Sequence, residues 1–146
     1  MARYSTGVLT GAGTTLLPII SLYSIAGVSP VIREIGLTNT TTTAVALKLT
    51  YLTTAGTPGT GLTETKYRDG AIAASATGFT THTGTGPTFG NDLGYRASLG
   101  AAIGAGVIWT FGEQGITPPV GTANGVGVVP ENGTGQACQA YITWDE

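Results

Sequence analysis

Two neighbouring stretches, residues 31–37 and 44–53, alternate between apolar side chains and small or polar ones. Successive side chains of a β-strand point to opposite faces, so alternation with a period of two predicts two half-buried strands. In the second stretch Lys48 falls on the face opposite to the large residues, which are Val45, Leu47, Leu49 and Tyr51. The asparagine and threonines at 39–43 predict a turn, and we therefore expect the two strands to pair as a hairpin.

Shorter alternations predict six more strands, at 19–26, 72–83, 95–103, 106–112, 126–129 and 135–144. The pattern is cleanest at 106–112, where every second residue is large and apolar. Aromatic side chains bury ~150–250 Å² each, so Trp109 is expected in the core. Glycine and proline separate these segments, and a single helical turn at 63–68 is the only helix that the sequence suggests.

About eight short strands with regularly spaced turn signals predict an all-β, single-domain β-sandwich over residues 18–146. Jelly-roll order is the preferred topology, and an immunoglobulin-like sandwich, weakened by the missing cysteine pair, is the alternative. Residues 1–17 are expected to form an extended N-terminal arm, because Gly7, Gly11 and Gly13 oppose a helix.

The chain carries few charges for its 146 residues. Only 10% of its residues are charged, against roughly 25% in ordinary soluble domains, and the net charge is -2. Such a neutral surface suggests that neighbouring subunits cover it, although threonine hydroxyls alone could keep a neutral β domain in solution. Six scattered Lys and Arg residues argue against nucleic-acid binding, and no apolar run reaches the ~20 residues that span a bilayer.

Residues suited to catalysis or metal binding are few. One histidine, His82, and one cysteine, Cys138, cannot supply a closed zinc site. We expect His82 to be exposed on a strand and Cys138 to be buried. No Gly-x-Ser-x-Gly elbow is present, and the eight carboxylates are expected to be solvated surface charges. The sequence therefore predicts a protein that is not an enzyme and has no catalytic residue, cofactor or metal site.

The N-terminal arm is the predicted assembly element. An extended arm can add a strand to the sheet edge of a neighbour while its apolar side chains fill a groove. The candidate interface residues are Arg3, Tyr4, Val8, Leu9, Leu16 and Leu17. Closed rings are a common solution for such contacts, and we expect a homotrimer.

Several segments together resemble one class of protein. They are the opening Met1-Ala-Arg-Tyr-Ser-Thr-Gly with the following Gly-Ala-Gly-Thr-Thr, Arg33-Glu-Ile-Gly, Gly106-Val-Ile-Trp-Thr-Phe-Gly, and the ending from Gly121 to Glu146. In these the chain is similar to small Gly/Thr-rich virion proteins of tailed bacteriophages, of the head-decoration or minor capsid type, which are often jelly rolls. The resemblance implies synthesis in the host cytoplasm, without a leader, and a place on the head surface of the virion, bound to the major capsid protein lattice.

A glycan- or receptor-binding module of a phage tail or spike is the alternative function. β-Sandwiches bind sugars on exposed aromatic rings. The candidates for such a platform are Tyr4, Tyr23, Tyr67, Tyr95, Tyr141 and Trp144.

Overall fold

The computed structural model describes residues 1–146 and contains ten β-strands and no helix. The strands are β1 (Arg3–Leu9), β2 (Ile20–Tyr23), β3 (Val31–Asn39), β4 (Val45–Leu52), β5 (Thr65–Lys66), β6 (Thr77–Phe79), β7 (Phe89–Leu99), β8 (Gly106–Thr110), β9 (Gly125–Pro130) and β10 (Cys138–Asp145).

The ten strands form two five-stranded antiparallel sheets, which confirms the predicted all-β sandwich. Sheet 1 has the order β5-β1-β10-β3-β8, and sheet 2 has the order β6-β2-β9-β4-β7. Apart from the two shortest strands, the pairing is nested along the chain: β1 with β10, β2 with β9, β3 with β8, and β4 with β7. The chain ends therefore meet in neighbouring strands of sheet 1.

The predicted hairpin between residues 31–37 and 44–53 is wrong, although both strands exist. β3 lies in sheet 1 and β4 in sheet 2, so the turn at 39–43 carries the chain across the sandwich. Asn39 holds this crossing: its side-chain amide donates to the carbonyls of Thr43 (2.8 Å) and Gly100 (3.0 Å). Alternation requires one buried face, and two strands can satisfy it by facing each other across the core as well as by pairing edge to edge.

A bulge in β3 also changes the predicted faces of that strand. The register with β10 shifts between Thr143 and Trp144, which pair with Glu34 and Ile32, so Arg33 is the extra residue. A bulge of this kind reverses the alternation, and both Ile32 and Ile35 consequently face the core.

Two further local predictions are wrong between residues 63 and 83. The suggested helical turn at 63–68 is instead the short strand β5, which pairs with Tyr4 and Ser5 of β1. The long strand expected at 72–83 shrinks to β6, three residues paired with β2. In both places the secondary structure is set by pairing with a distant strand and not by the local propensity of the segment.

The residues expected in the N-terminal arm begin the sandwich itself. β1 pairs with β10 from Arg3↔Asp145 to Leu9↔Gln139. Beyond that ladder, Ala2 and Glu146 exchange two backbone hydrogen bonds of 2.7 and 2.9 Å. Residues 3–9 are thus an inner strand of sheet 1, and the expected separation between an arm and a domain at residue 17 does not describe them.

The core lies between the two sheets and contains both tryptophans and the cysteine. Trp109 and Cys138 are buried, as the sequence predicts, and burial raises the pKa of the Cys138 thiol to about 11. Tyr4 of β1 stacks on Trp144 of β10 with ring centroids 5.9 Å apart. The Trp144 indole N–H donates to Glu146 (2.8 Å), so the chain ends are fixed by side chains as well as by backbone.

Candidate interaction face

The outer faces of the two sheets differ in how much of the chain lies over them. In sheet 2, all residues of β2 and β9 are buried on both sides of the sheet. In sheet 1, strands β1, β8 and β10 instead alternate between buried residues and partly or fully exposed ones. The outside of sheet 2 is therefore covered by the chain's own loops at β2 and β9, while β4 alternates between buried and half-buried residues and the edge strand β7 is largely exposed. The outside of sheet 1 is open at β1, β8 and β10.

Buried polar contacts show what covers sheet 2. His82, in the loop after β6, lies with its Nε2 2.9 Å from the Ser21 hydroxyl of β2, and the Tyr23 hydroxyl donates to the Thr54 carbonyl (3.1 Å). Only 1% of His82 is exposed, so the prediction of an exposed histidine is wrong. Its Nδ1 has no hydrogen-bond partner, and burial lowers the pKa of the imidazole to about 4.

The open side of sheet 1 presents three rows of side chains that run across its four longer strands. We call this set the sheet-1 outer face. Its rows are Ser5, Thr143, Glu34 and Thr110; Gly7, Tyr141, Gly36 and Ile108; and Leu9, Gln139, Thr38 and Gly106. Glu34 is the only charged residue of the twelve, and three positions are glycine, so the face is nearly uncharged and most of its side chains are small or polar.

Tyr141 is the largest side chain at the centre of this face. Its ring lies directly over Gly36, since a Cβ at position 36 would be only 2.0 Å from the ring Cε1. The hydroxyl donates to a carboxylate oxygen of Glu34 at 2.6 Å. Burial is the main cause that raises the pKa of Tyr141 to about 12, and the carboxylate adds to it. The glycine therefore holds the ring against the sheet, and the carboxylate fixes its orientation.

An ion-pair cluster closes one end of the face. Asp145 is buried and binds two guanidinium groups, Arg3 at 2.8 Å and Arg33 at 2.6 Å. The hydrogen bond from Arg3 is the main reason that the pKa of the Asp145 carboxyl lies below its usual value, and Arg33 contributes in the same direction. The prediction that every carboxylate is a solvated surface charge is wrong for Asp145.

The predicted interface residues are separated by the fold. Tyr4 is buried in the core, Arg3 is bound to Asp145, and Val8 packs against the core from β1. Leu9 is 55% exposed on the sheet-1 outer face. The other two lie outside the strands: Leu16 is exposed and Leu17 is half-buried. Only Leu9 among them belongs to the open face.

Tyr141 and Gly36 define the centre of the face. The sequence suggested Tyr141 only as one of several aromatic candidates for sugar binding, and it gave no signal for Gly36. The two residues lie more than a hundred residues apart in the sequence and meet only because β10 pairs with β3. For Ile108 a signal was present: it alternates with the buried Trp109, and it is therefore the outward residue of its strand.

The clefts of the surface do not bring a catalytic or metal-binding set together. The largest one lies at the end of β1 and is lined by Arg3, Tyr67, Arg68, Asp69 and Glu146, among others. Two of these charged groups are already bound: Arg3 to Asp145, and the Glu146 carboxylate to the backbone N–H groups of Ser75 and Ala76. No three His, Cys, Asp or Glu side chains lie close enough to hold a metal ion, and no helix crosses a membrane.

Comparison with known proteins gives no relative for this chain. No protein-family model matches it, and no curated protein or solved structure matches it either.

Proposed function

We propose that this chain is a non-enzymatic structural protein of a tailed-phage virion, a decoration or cement protein that binds the outer surface of the head lattice. The observation that carries the proposal is the sheet-1 outer face, which is open and nearly uncharged, whereas loops cover the strands β2 and β9 of the opposite sheet. A nearly uncharged face that exposes the apolar side chains of Leu9 and Ile108 among small and polar residues is suited to contact with another protein.

Two further observations support the proposal. The nested pairing of β1 with β10, β2 with β9, β3 with β8 and β4 with β7 favours the jelly-roll interpretation over the immunoglobulin-like one, because a jelly roll folds as one long antiparallel ribbon. The resemblance of the sequence to phage decoration proteins points to the same class. Since β1 belongs to the sandwich, the contact with the shell is assigned to the open face and not to a free arm.

The proposal is tested by asking whether the chain binds shells and through which side. Purified phage particles from an infection in which the chain is expressed should contain it at the outer surface of the head, seen as density by electron microscopy. Recombinant chain should co-sediment with empty heads. Particles that lack the chain, or density confined to the tail, would contradict a role in head decoration.

A matched pair of variants assigns the contact surface. Leu9 on the open face and Val120 in the loop after β8 are equally exposed, at 55% and 54%. Leu9→Asp should abolish co-sedimentation because it places a charge in the neutral face, whereas Val120→Asp should bind as the wild type does. Equal binding by both variants would show that the shell is contacted elsewhere.

One observation favours a glycan-binding module as the second candidate. The Tyr141 ring lies against Gly36 beside the Glu34 carboxylate, and this is the arrangement of a stacking platform with a hydrogen-bonding group next to it. Binding to a glycan array that is lost in Tyr141→Ala would decide for this candidate and against the shell proposal.

A further inference from the structure

β8 is an edge strand whose outer row of backbone groups is free. At one end of its ladder the Phe111 N–H donates to the Arg33 carbonyl (3.0 Å), and at the other the Asn39 N–H donates to the Ala105 carbonyl (2.7 Å). Bonded pairs recur at every second residue of an antiparallel ladder, so the odd-numbered residues between them bond to β3. The N–H and C=O groups of Gly106, Ile108 and Thr110 consequently point away from the sheet.

The other three sheet edges are protected against pairing, and β8 is not. β5 has two residues and β6 has three, which is too short for a stable ladder. β7 is long, but its register with β4 is interrupted twice, and its Arg96 forms ion pairs with Asp92 and Glu131. β8 has the sequence Gly-Val-Ile-Trp-Thr, without charge, proline or bulge. Natural proteins use those devices to prevent edge-to-edge contacts.

We propose that two copies of this chain pair through β8, antiparallel and about a two-fold axis at Ile108. Ile108 of one copy then lies opposite Ile108 of the second, and Gly106 lies opposite Thr110 on either side. All three positions present free backbone groups in both copies, so each of the three residue pairs exchanges two hydrogen bonds.

A second copy fits this edge better than an unrelated strand does, because the edge is complementary to itself. The strand carries no charge, so two copies meet without repulsion. In the two-fold pair, Gly106 of one copy faces Thr110 of the other on each side of the central Ile108, so a glycine leaves room for each threonine. Ile108 is 61% exposed, and against its copy it buries apolar surface on the sheet-1 outer face.

The pair would have a consequence for the open face. Joining two five-stranded sheets at β8 gives one continuous ten-stranded sheet with a single neutral outer surface. The inference does not rest on the shell proposal, since it follows from the free backbone groups of β8 alone. It replaces the homotrimer expected from the sequence, because an isologous two-fold contact closes at two copies.

Sedimentation equilibrium of the full chain tests the pair. The wild type should show twice the 14.7 kDa mass of the chain. Ile108→Lys and Ile108→Pro should both shift it to the single mass: the first introduces a repelling charge, and the second removes an N–H that bonds nothing within the fold. Val120→Lys is the control, because Val120 is similarly exposed but lies in a loop, and this variant should remain a pair. A wild-type mass of one or three chains would overturn the proposal.

Cysteine cross-linking tests the register independently of the mass. A hydrogen-bonded antiparallel pair has a Cα separation of about 5.5 Å, within the range of a disulfide. Ile108→Cys should therefore form an inter-chain disulfide on mild oxidation. Thr110→Cys should not, because the four-residue offset from its copy places the two Cα atoms about 13 Å apart. The native Cys138 is buried and gives the same background in both variants. Equal cross-linking of the two variants, or none in Ile108→Cys, would contradict the two-fold register.

Discussion

β1 and β8 are short, largely neutral strands of the same sheet, but the fold uses them in opposite ways. β1 is bonded on both sides, to β10 and to β5, whereas β8 is bonded only to β3. The glycines and the few apolar residues near the N-terminus suggested an extended segment there that could pair with a neighbouring subunit. The strand with an unpaired edge is β8 instead. The availability of a strand for assembly therefore depends on whether its neighbours occupy its edges, and its own composition does not decide it.

The side chains of β1 and β8 differ in the same way as their backbone pairing does. β1 places Tyr4 in the core and Arg3 in the ion-pair cluster, so its side chains stabilise the fold. β8 also buries one aromatic residue, Trp109, but its outward Ile108 contacts solvent. Substitutions in β1 should consequently change the stability of the fold, and substitutions on the outer side of β8 should change association.

Truncation of Tyr4 should give the largest effect. Tyr4→Ala removes a fully buried ring that stacks on Trp144, and it should lower the free energy of unfolding by about 3–5 kcal/mol. Tyr4→Phe keeps the ring and loses only the hydrogen bond from the hydroxyl to the Ile72 carbonyl, so it should cost about 1 kcal/mol. Urea denaturation measures both. A near-neutral Tyr4→Ala would mean that β1 is the dispensable arm that the sequence suggested.

Mild acid should give the next largest effect, and it should act at sheet 2, where His82 lies buried against Ser21 of β2. The only histidine, His82, has a pKa of about 4 in the folded state and about 6.5 when unfolded. The unfolded chain thus binds the proton first, and the free energy of unfolding is highest above pH 6.5 and falls as the pH is lowered towards 4. The total loss should be about 3 kcal/mol.

His82→Gln provides the control for the acid effect. This variant should lose the pH dependence between 6.5 and 5, measured by urea denaturation at each pH. The pKa of Asp145 is lowered below its ordinary value of 3.8, so the stability from its ion pairs is present above that pH and is lost only as the pH falls further. A wild-type stability that is flat between pH 6.5 and 5 would contradict a buried neutral imidazole.

The outer side of β8 should give the smallest effect on folding. Ile108→Thr keeps β propensity and changes only an exposed side chain, so the free energy of unfolding should change by less than about 0.5 kcal/mol. The measurement is made at a dilution at which the wild type is a single chain, since pairing itself adds stability. A loss as large as that of Tyr4→Ala would remove the contrast between the two strands.

The alternation of apolar residues was sufficient to predict the class of fold and much of its core. It located β3, β4, β9 and β10 near their observed bounds, and it placed Trp109 and Cys138 inside. These features depend on a period of two along one segment, and that information is present in the local sequence.

The partners of the strands and the open face were decided by the tertiary structure. The alternation of β3 and β4 would be the same if the two strands paired with each other or faced each other across the core. The sequence of β1 likewise does not reveal whether that strand is free or paired. Tyr141 comes to lie over Gly36, Asp145 between two arginines, and His82 against Ser21 of β2 only when distant segments meet. Backbone hydrogen bonding is the physical reason, because every strand requires a partner while its own side chains specify only which face is buried.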